Sequence, residues 1–237
     1  MDPIESLTFV AAHTRRIGLG TSVLDLPFYN PVILARRLTS LDILSSGRLR
    51  AGFGLGWSAD EFAAAGASQK ERGARADEFL AVLKTIWTED PVEFHGKYFA
   101  VPRSIIDAKL VQKPHPPIYL AAYAPAALKR AASLANGWMP VGIPLSGMAG
   151  MLAQMRQMAK DAGRDPQTLE VIVGANIAIA PQPLGGDRPI FAGSLDQVRK
   201  DIDDVRRLGA NEIFFMIFPD GSVRDLIAAM ENFRGFV

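Results

Sequence analysis

The sequence predicts an α/β protein in which parallel strands alternate with helices. After an opening helical segment, short apolar runs and amphipathic segments alternate six times along the chain. The runs are apolar on both faces, which is typical of parallel strands that helices cover on both sides. One run, within residues 48–57, ends in three glycines at every second position, Gly52, Gly54 and Gly56. The alternation fits both a doubly wound sheet and a (β/α) barrel and does not choose between them.

The glycine series in residues 48–57 is the feature around which we expect the rest of the chain to be organised. Glycine has no Cβ, so its backbone can approach a flat or bulky group closely. In α/β proteins the loop after a strand lies on the face where ligands bind. The same series also fits close packing against a neighbouring strand, and the local sequence favours neither explanation.

Capping residues and helical periodicity predict the helices. Asp2 is a suitable N-cap and Pro3 a suitable first residue for a helix over residues 3–14, which has apolar residues on one face. The further predicted helices cover residues 31–44, 72–88, 125–135, 148–162, 194–208 (with Ser194 as the N-cap) and 222–236.

Apolar runs between turn residues predict the strands. They cover residues 16–24, the first part of 48–57, 118–123, 138–141, 169–180 and 212–218. Residues 91–101 predict a small hairpin that turns at His95, Gly96 and Lys97. A single helical turn is predicted around residues 60–62. No linker is visible, and we expect one domain over residues 1–237.

Composition excludes several classes of protein. With 237 residues, 49% of them hydrophobic, the chain can bury a full core. The net charge of +1 gives no electrostatic case for nucleic acid or a membrane surface. The absence of cysteine excludes thiol catalysis and disulfides, and the three histidines match no metal-site spacing. No apolar run is long enough to span a membrane and no signal peptide is visible, so we expect a soluble cytoplasmic protein.

Three separated blocks resemble the luciferase-like monooxygenase superfamily, in particular its branch that uses the deazaflavin coenzyme F420. The blocks read RIGLGTSVLDLPFYNPVILARRLTSLDILSSGRLRAGFGLGW, RGARADEFLAVLKTIWTEDPVEFHGKYF and KPHPPIYLAAYAPAALKRAASLANGWMPVG. Together they cover most of residues 2–142, in the order and spacing of the family. The remaining third of the chain fits the family only through its alternation of strands and helices.

The resemblance implies a (β/α)8 TIM barrel that binds a flavin or deazaflavin at the carboxyl ends of its strands. It matches the first strand of this chain to the third strand of the barrel, so the six visible units correspond to strands three to eight. We therefore expect an incomplete barrel that is poorly stable alone or is sealed by another subunit, and we expect a homodimer.

The resemblance also implies where the cofactor is held. It implies a non-proline cis peptide bond between Ser22 and Val23, beneath the ring system. At Pro125, the start of a helix offers backbone N–H groups to the cofactor phosphate. The family usually has two glycines and a serine-containing turn before this helix, whereas this chain has alanines and a tyrosine, so binding is expected to be weaker. The complete set of expected cofactor-binding residues is Thr21, Ser22, Val23, Gly54, Leu55, Gly56, Trp57, Ala121, Ala122, Tyr123, Ala124 and Trp138.

Other residues with possible chemistry each have a structural alternative. Trp57 and Trp138 would line the pocket or belong to the core. Asp60 and Glu61 would be a general acid pair or solvated charges at a helix start. The remaining candidates are the histidines: we expect His13 and His95 on the surface and His115 to be structural. No catalytic residue is assigned and no metal is expected, because the hydride chemistry would be the cofactor's own.

These observations predict an oxidoreductase that transfers a hydride between F420 and a small organic substrate. The first alternative is a monooxygenase that depends on flavin mononucleotide (FMN). The second is a non-catalytic flavin-binding homologue, or a barrel remnant that acts as an interaction module. A sugar- or phosphate-handling barrel enzyme is disfavoured because no paired carboxylates and no clear base are present.

Overall fold

A computed structural model describes residues 1–216 together with Arg224, Ile227, Ala228, Met230 and Glu231. Almost all of the predicted helix over 222–236 and the last two residues of the predicted strand over 212–218 lie outside the described residues. The chain divides into two compact units, residues 1–136 and 137–237, which are described separately below. The expectation of one domain over the whole chain stays a prediction.

The helices of the first unit begin at their predicted first residues or within one residue of them. They are α1 (Pro3–His13), α2 (Pro31–Leu44), α3 (Ala59–Ala64), α4 (Arg72–Thr88) and α5 (Pro125–Leu134). The Asp2 carboxylate accepts a hydrogen bond from Ile4 N at 2.8 Å, and the Asn30 side chain accepts one from Val32 N at 2.9 Å. These bonds satisfy backbone donors that have no partner inside the helix.

The strands of the first unit form a parallel sheet and a separate hairpin. They are β1 (Leu19–Gly20), β2 (Leu24–Asp25), β3 (Leu49–Gly54), β4 (Val92–His95), β5 (Ala100–Ser104) and β6 (Ile118–Leu120). Both β1 and β2 pair in parallel with β3, β3 pairs in parallel with β6, and β4 pairs antiparallel with β5 as predicted.

The prediction of one continuous strand over residues 16–24 was wrong. The strand is interrupted between β1 and β2, where the Thr21 hydroxyl donates to Gly52 O at 2.8 Å and accepts from Gly52 N at 3.0 Å. A side chain therefore occupies the backbone groups that a continuous ladder would use.

The core of the first unit lies between α2, α4 and the sheet. Leu34, Leu38 and Leu41 of α2 have no exposed surface, and the Trp87 indole of α4 donates to Ala35 O at 3.3 Å. Asp42, at the end of α2, is also fully buried. Its carboxylate accepts hydrogen bonds from Val111 N, Gln112 N and Gln112 Nε2 at 2.8, 3.1 and 2.7 Å, which fixes the long connection before β6.

The second unit repeats the alternation of strands and helices. Its elements are β7 (Gly137–Trp138), α6 (Leu145–Asp161), β8 (Glu170–Asn176), β9 (Ala178–Ile179), β10 (Ala192–Gly193), α7 (Leu195–Leu208) and β11 (Glu212–Met216). Strand β8 pairs in parallel with both β7 and β11. Ser194 and Gln197 form the capping box of α7.

The prediction of a single strand over residues 169–180 was also wrong. Strand β8 ends at Asn176, and the separate short strand β9 pairs in parallel with β10. The segment before β10 is held to α7 by a buried ion pair, in which both terminal nitrogens of Arg188 lie 2.6–2.7 Å from the Asp201 carboxylate. Asp201 also accepts from Phe191 N at 2.8 Å, so the residues directly before β10 are held by α7.

None of the helices in the described part of the chain combines the length and the apolar character that crossing a membrane requires.

Candidate functional site

Three of the predicted cofactor-binding stretches meet at one edge of the sheet in the first unit. Leu24 and Asp25 of β2 lie beside Phe53 and Gly54, the last residues of β3. Phe53 also lies beside Leu120, the last residue of β6, and Ala121 N donates to Phe53 O at 2.9 Å. Because parallel strands end on the same side, residues 21–23, 54–57 and 121–124 share the carboxyl edge of this sheet.

The stretch Thr21, Ser22 and Val23 has its predicted backbone geometry. The peptide bond between Ser22 and Val23 is cis, as the resemblance implied. Ser22 is exposed and Val23 is half-buried, whereas Thr21 is only 3% exposed and uses its hydroxyl to bind Gly52. Thr21 therefore holds the chain against β3, and the expected cofactor contacts of Ser22 and Val23 stay a prediction.

Gly54, at the end of β3, and Gly56, in the loop after it, make room for the protein's own side chains. A Cβ added at Gly54 would collide with Asp25 Oδ1 and would lie 2.6 Å from Val23 Cγ2. At Gly56, which has φ +70°, a Cβ would lie 2.8 Å from Cε2 of Phe62. Of the two explanations for the series, close packing accounts for the atoms directly in front of Gly54 and Gly56. The expected cofactor contacts of these glycines stay a prediction.

Asp25 is a residue at this edge that the sequence did not single out. Its Oδ1 accepts a hydrogen bond from Gly56 N at 2.8 Å. Burial raises the pKa of the Asp25 carboxyl, the Gly56 N–H opposes this, and the negative charge of Glu61 raises the pKa further. The available signal was an aspartate directly after an apolar strand run, two residues before Pro27.

Two large aromatic side chains are exposed at the same edge. Trp57 follows β3 and is 86% exposed, and Tyr123 follows β6 and is 52% exposed. Of the two possibilities for Trp57, membership of the core is therefore excluded. Leu55 lies between the glycines and is half-buried, with Gly54 and Ala121 beside it in a small apolar cleft.

Trp138 lies in the second unit, on β7, and has no exposed surface. A ring enclosed in this way contributes to the core, which was the second possibility for this residue. A contact between Trp138 and a cofactor stays a prediction.

The start of α5 offers fewer backbone donors than expected. Ala124 caps the helix without a side-chain hydrogen bond, Ala122 is buried, and Pro125 has no N–H. The N–H groups of Ala127 and Leu128 both donate to Ala124 O at 2.9 Å. Of the first three helical residues, only Ala126 retains an N–H without an acceptor in the described part of the chain, so a phosphate would find one donor in this turn.

The other candidates lie in structural or solvated positions. Asp60 and Glu61 are exposed in the first turn of α3, where Ser58 caps the helix. His115 is half-buried against Trp87, with ring centres 5.9 Å apart, and burial lowers its pKa. His13 and His95, expected on the surface, are both exposed. Within the described residues, no three histidine, aspartate or glutamate side chains gather as a metal ion would require.

The parallel strands, their covering helices and a candidate site at the carboxyl edge define a parallel α/β protein of the kind that binds ligands where its strands end. The family model described as luciferase-like monooxygenase matches residues 1–184. The chain therefore belongs to the luciferase-like monooxygenase family.

Curated relatives use two different cofactors. An F420-dependent glucose-6-phosphate dehydrogenase of Amycolatopsis mediterranei is 36% identical over 55% of this chain and 40% of its own length. The dehydrogenase of the same description from Mycolicibacterium fortuitum is 31% identical over 75% of this chain and 54% of its own length. An FMNH2-dependent dimethylsulfone monooxygenase of Pseudomonas putida is 28% identical over 67% of this chain and 45% of its own length. The chain thus spans about half the length of the curated relatives it matches.

Solved structures confirm the predicted fold class, an incomplete (β/α)8 barrel. A monooxygenase of Streptomyces bottropensis superposes with a TM-score of 0.86 and 27% identity, covering 100% of this chain and 82% of the other. The coenzyme F420-dependent tetrahydromethanopterin reductase of Methanopyrus kandleri superposes with a TM-score of 0.78, covering 90% of this chain and 81% of the other. At 19% identity, the second similarity shows the fold alone.

Proposed function

We propose that this chain is, or is part of, an oxidoreductase that transfers a hydride between coenzyme F420 and a small organic substrate. The observation that carries the proposal is the similarity to F420-dependent glucose-6-phosphate dehydrogenases, at 30–36% identity in four relatives. When bound, F420 would supply the carbon centre that gives or accepts the hydride.

The carboxyl edge of the first unit fits a planar ring system. The exposed rings of Trp57 and Tyr123 stand on the loops after two adjacent strands and offer apolar faces for stacking. Ser22 and Val23 lie at the same edge. The tasks of these residues would be to bind the ring, to orient the substrate beside it and to exclude water. The single N–H of Ala126 makes the contribution of α5 to phosphate binding small.

An FMN-dependent monooxygenase is the second candidate. It is favoured by the Pseudomonas putida relative and by the Streptomyces bottropensis monooxygenase, whose fold matches over the whole chain. A non-catalytic flavin-binding homologue or an interaction module is the third candidate, favoured by the few backbone donors at α5. We also propose a homodimer, because Phe9, Ile33, Leu44 and Ile105 of the first unit are each more than half exposed. Sedimentation of the purified protein would test the dimer.

Titration of the purified protein with F420 and with FMN, followed by cofactor absorbance and fluorescence, separates these candidates. We expect retention of F420. Retention of FMN alone would contradict the F420 proposal. The loaded protein would then be tested with reduced F420 and a panel of small aldehydes, ketones and enones, and with oxidised F420 and the corresponding alcohols and glucose 6-phosphate. Cofactor binding without turnover across both panels would favour the non-catalytic homologue.

A further inference from the structure

The carboxyl group of Asp25 is only half engaged by the protein. Its Oδ1 accepts from Gly56 N at 2.8 Å, and no ion pair joins Asp25 to any residue that the structure describes. The second oxygen accepts no hydrogen bond within residues 1–216. Among the described residues, Arg156 Nε is the enclosed side-chain atom that lacks a hydrogen-bond partner. The second oxygen of Asp25 has no partner among these residues either but is not enclosed, so solvent can reach it. This oxygen is therefore open to a ligand.

The surroundings of Asp25 favour a carboxyl group that exchanges a proton. In the described residues, Glu61 of α3 is a titratable group whose negative charge acts on Asp25, and the charge of Asp25 in turn acts on Tyr29, just after the turn that follows β2. Neither is a cation at neutral pH, so neither holds Asp25 in its charged form. Half-burial acts in the same direction, and a carboxyl group with these neighbours is suited to general acid and base catalysis.

The position of Asp25 places this group beside the expected cofactor contacts. Asp25 is the register partner of Gly54, and its Oδ1 fills the space in front of that glycine. The cis peptide bond of Ser22 and Val23 ends one residue before β2 begins, and Gly56 N holds the carboxylate from the other side. The strand ends thus hold one carboxylate oxygen of Asp25 in place and leave the other accessible.

From this geometry we propose that Asp25 gives and takes the proton that accompanies hydride transfer, with carbonyl compounds and their alcohols as the substrate class. The inference rests on the proposed function. In reduction, bound F420 in its reduced form would supply the hydride to the carbonyl carbon, and the π electron pair would move to the oxygen. That oxygen takes the proton of the Asp25 carboxyl, whose O–H bond breaks to leave the carboxylate. In oxidation of an alcohol, the carboxylate removes the hydroxyl proton while the hydride leaves the carbon for oxidised F420.

Asp25→Asn tests this role because asparagine keeps an oxygen that accepts from Gly56 N but has no proton to exchange. Asp60→Asn is the matched control, since Asp60 is an exposed aspartate of the neighbouring helix α3. We expect Asp25→Asn to bind F420 as the unaltered protein does and to lose about 100-fold or more of the turnover with reduced F420 and the carbonyl panel. The pH dependence of turnover in the unaltered protein should follow the titration of Asp25, measured by carboxyl carbon NMR and assigned through the variant.

Three outcomes would overturn the inference, and they differ in what else they remove. Unchanged turnover in Asp25→Asn overturns the role of Asp25 alone. Loss of F420 binding together with a lower unfolding midpoint in Asp25→Asn would assign Asp25 a structural role instead. Failure of the unaltered protein to bind F420, or to turn over any member of either panel, removes the proposed function and this inference with it.

Discussion

The polar side chains at the two ends of strand β3 differ in how many hydrogen bonds they make. At its amino end, Arg48 donates hydrogen bonds to the carbonyl oxygens of Ala11, Thr14, Ile17 and Ser45, and the nearby Asp42 carboxylate accepts three. At its carboxyl end, Asp25 accepts one hydrogen bond, and Trp57 is 86% exposed. The polar side chains at the amino end thus stabilise the fold through many hydrogen bonds, whereas Asp25 and Trp57 at the carboxyl end keep surface that a ligand could contact. This division is typical of parallel α/β folds.

The largest effect should come from the amino end. We expect Asp42→Ala to lower the free energy of unfolding by about 3–5 kcal/mol, because it removes a fully buried carboxylate that accepts three hydrogen bonds from Val111 and Gln112. Urea denaturation followed by circular dichroism measures the change. Asp60→Ala, at an exposed position, is the control and should change stability by at most about 0.5 kcal/mol. Equal effects for the two variants would break the comparison.

A smaller loss is expected at Arg48. Replacing it by Met keeps much of the apolar stem but removes the donors to Ala11, Thr14 and Ile17 that tie α1 to the sheet, at a cost of about 2 kcal/mol. The same denaturation experiment applies. Arg36→Met on the exposed side of α2 serves as the matched control, and we expect it to be close to neutral. A neutral Arg48→Met would show that the amino end is not stabilised by this side chain.

Gly54→Ala sharpens the comparison at the carboxyl end. The added methyl group would meet Asp25 Oδ1 and Val23 Cγ2, so we expect a loss of about 1–3 kcal/mol. Gly20→Ala is the control in β1, where the nearest atom to a Cβ is Arg50 O at 3.7 Å, an ordinary contact. A Gly54→Ala variant as stable as Gly20→Ala would mean that Val23 and Asp25 move aside easily and that the space can be opened to a ligand.

The smallest effect is a pH dependence at Glu78, a carboxylate that is saturated like Asp42. It accepts from Lys97 N, Tyr98 N and Phe99 N in the hairpin turn, and although partial burial acts to raise its pKa, these bonds lower it overall. Since the folded-state pKa lies below the unfolded value, the stabilisation is present above the ordinary glutamate pKa and is lost as the pH falls through the folded value. Melting temperatures of Glu78→Gln and of the unaltered protein should therefore differ at neutral pH and converge on acidification. A difference independent of pH would contradict this assignment. Asp60→Asn, at an exposed position, is the control.

Local signals predicted the helices well, and long-range contacts explain what the sequence missed. The helix over 31–44 was predicted with its observed limits because Pro31 marks its start and Ser45-Ser46-Gly47 its end. The interruption after β1 depends on a bond between Thr21 and Gly52, which lie 31 positions apart. No local pattern announces such a contact.

The candidate site shows the same limit. The resemblance predicted the cis bond at Ser22 and Val23 and the three stretches that meet at one sheet edge. It did not predict what fills the space in front of Gly54, because that depends on the register between β2 and β3. Asp25 was missed for this reason, since its partner Gly56 is 31 positions away in the sequence.

The exposed indole of Trp57 gives the protein an internal optical reporter. The other two of its three tryptophans, Trp87 and Trp138, are 3% and 0% exposed, so their emission should be shifted to the blue and shielded from dissolved quenchers. The red-shifted, iodide-quenchable part of the spectrum would then come from one ring on the loop after β3. Any molecule that settles on this edge should dim that component first, before its chemical identity is known.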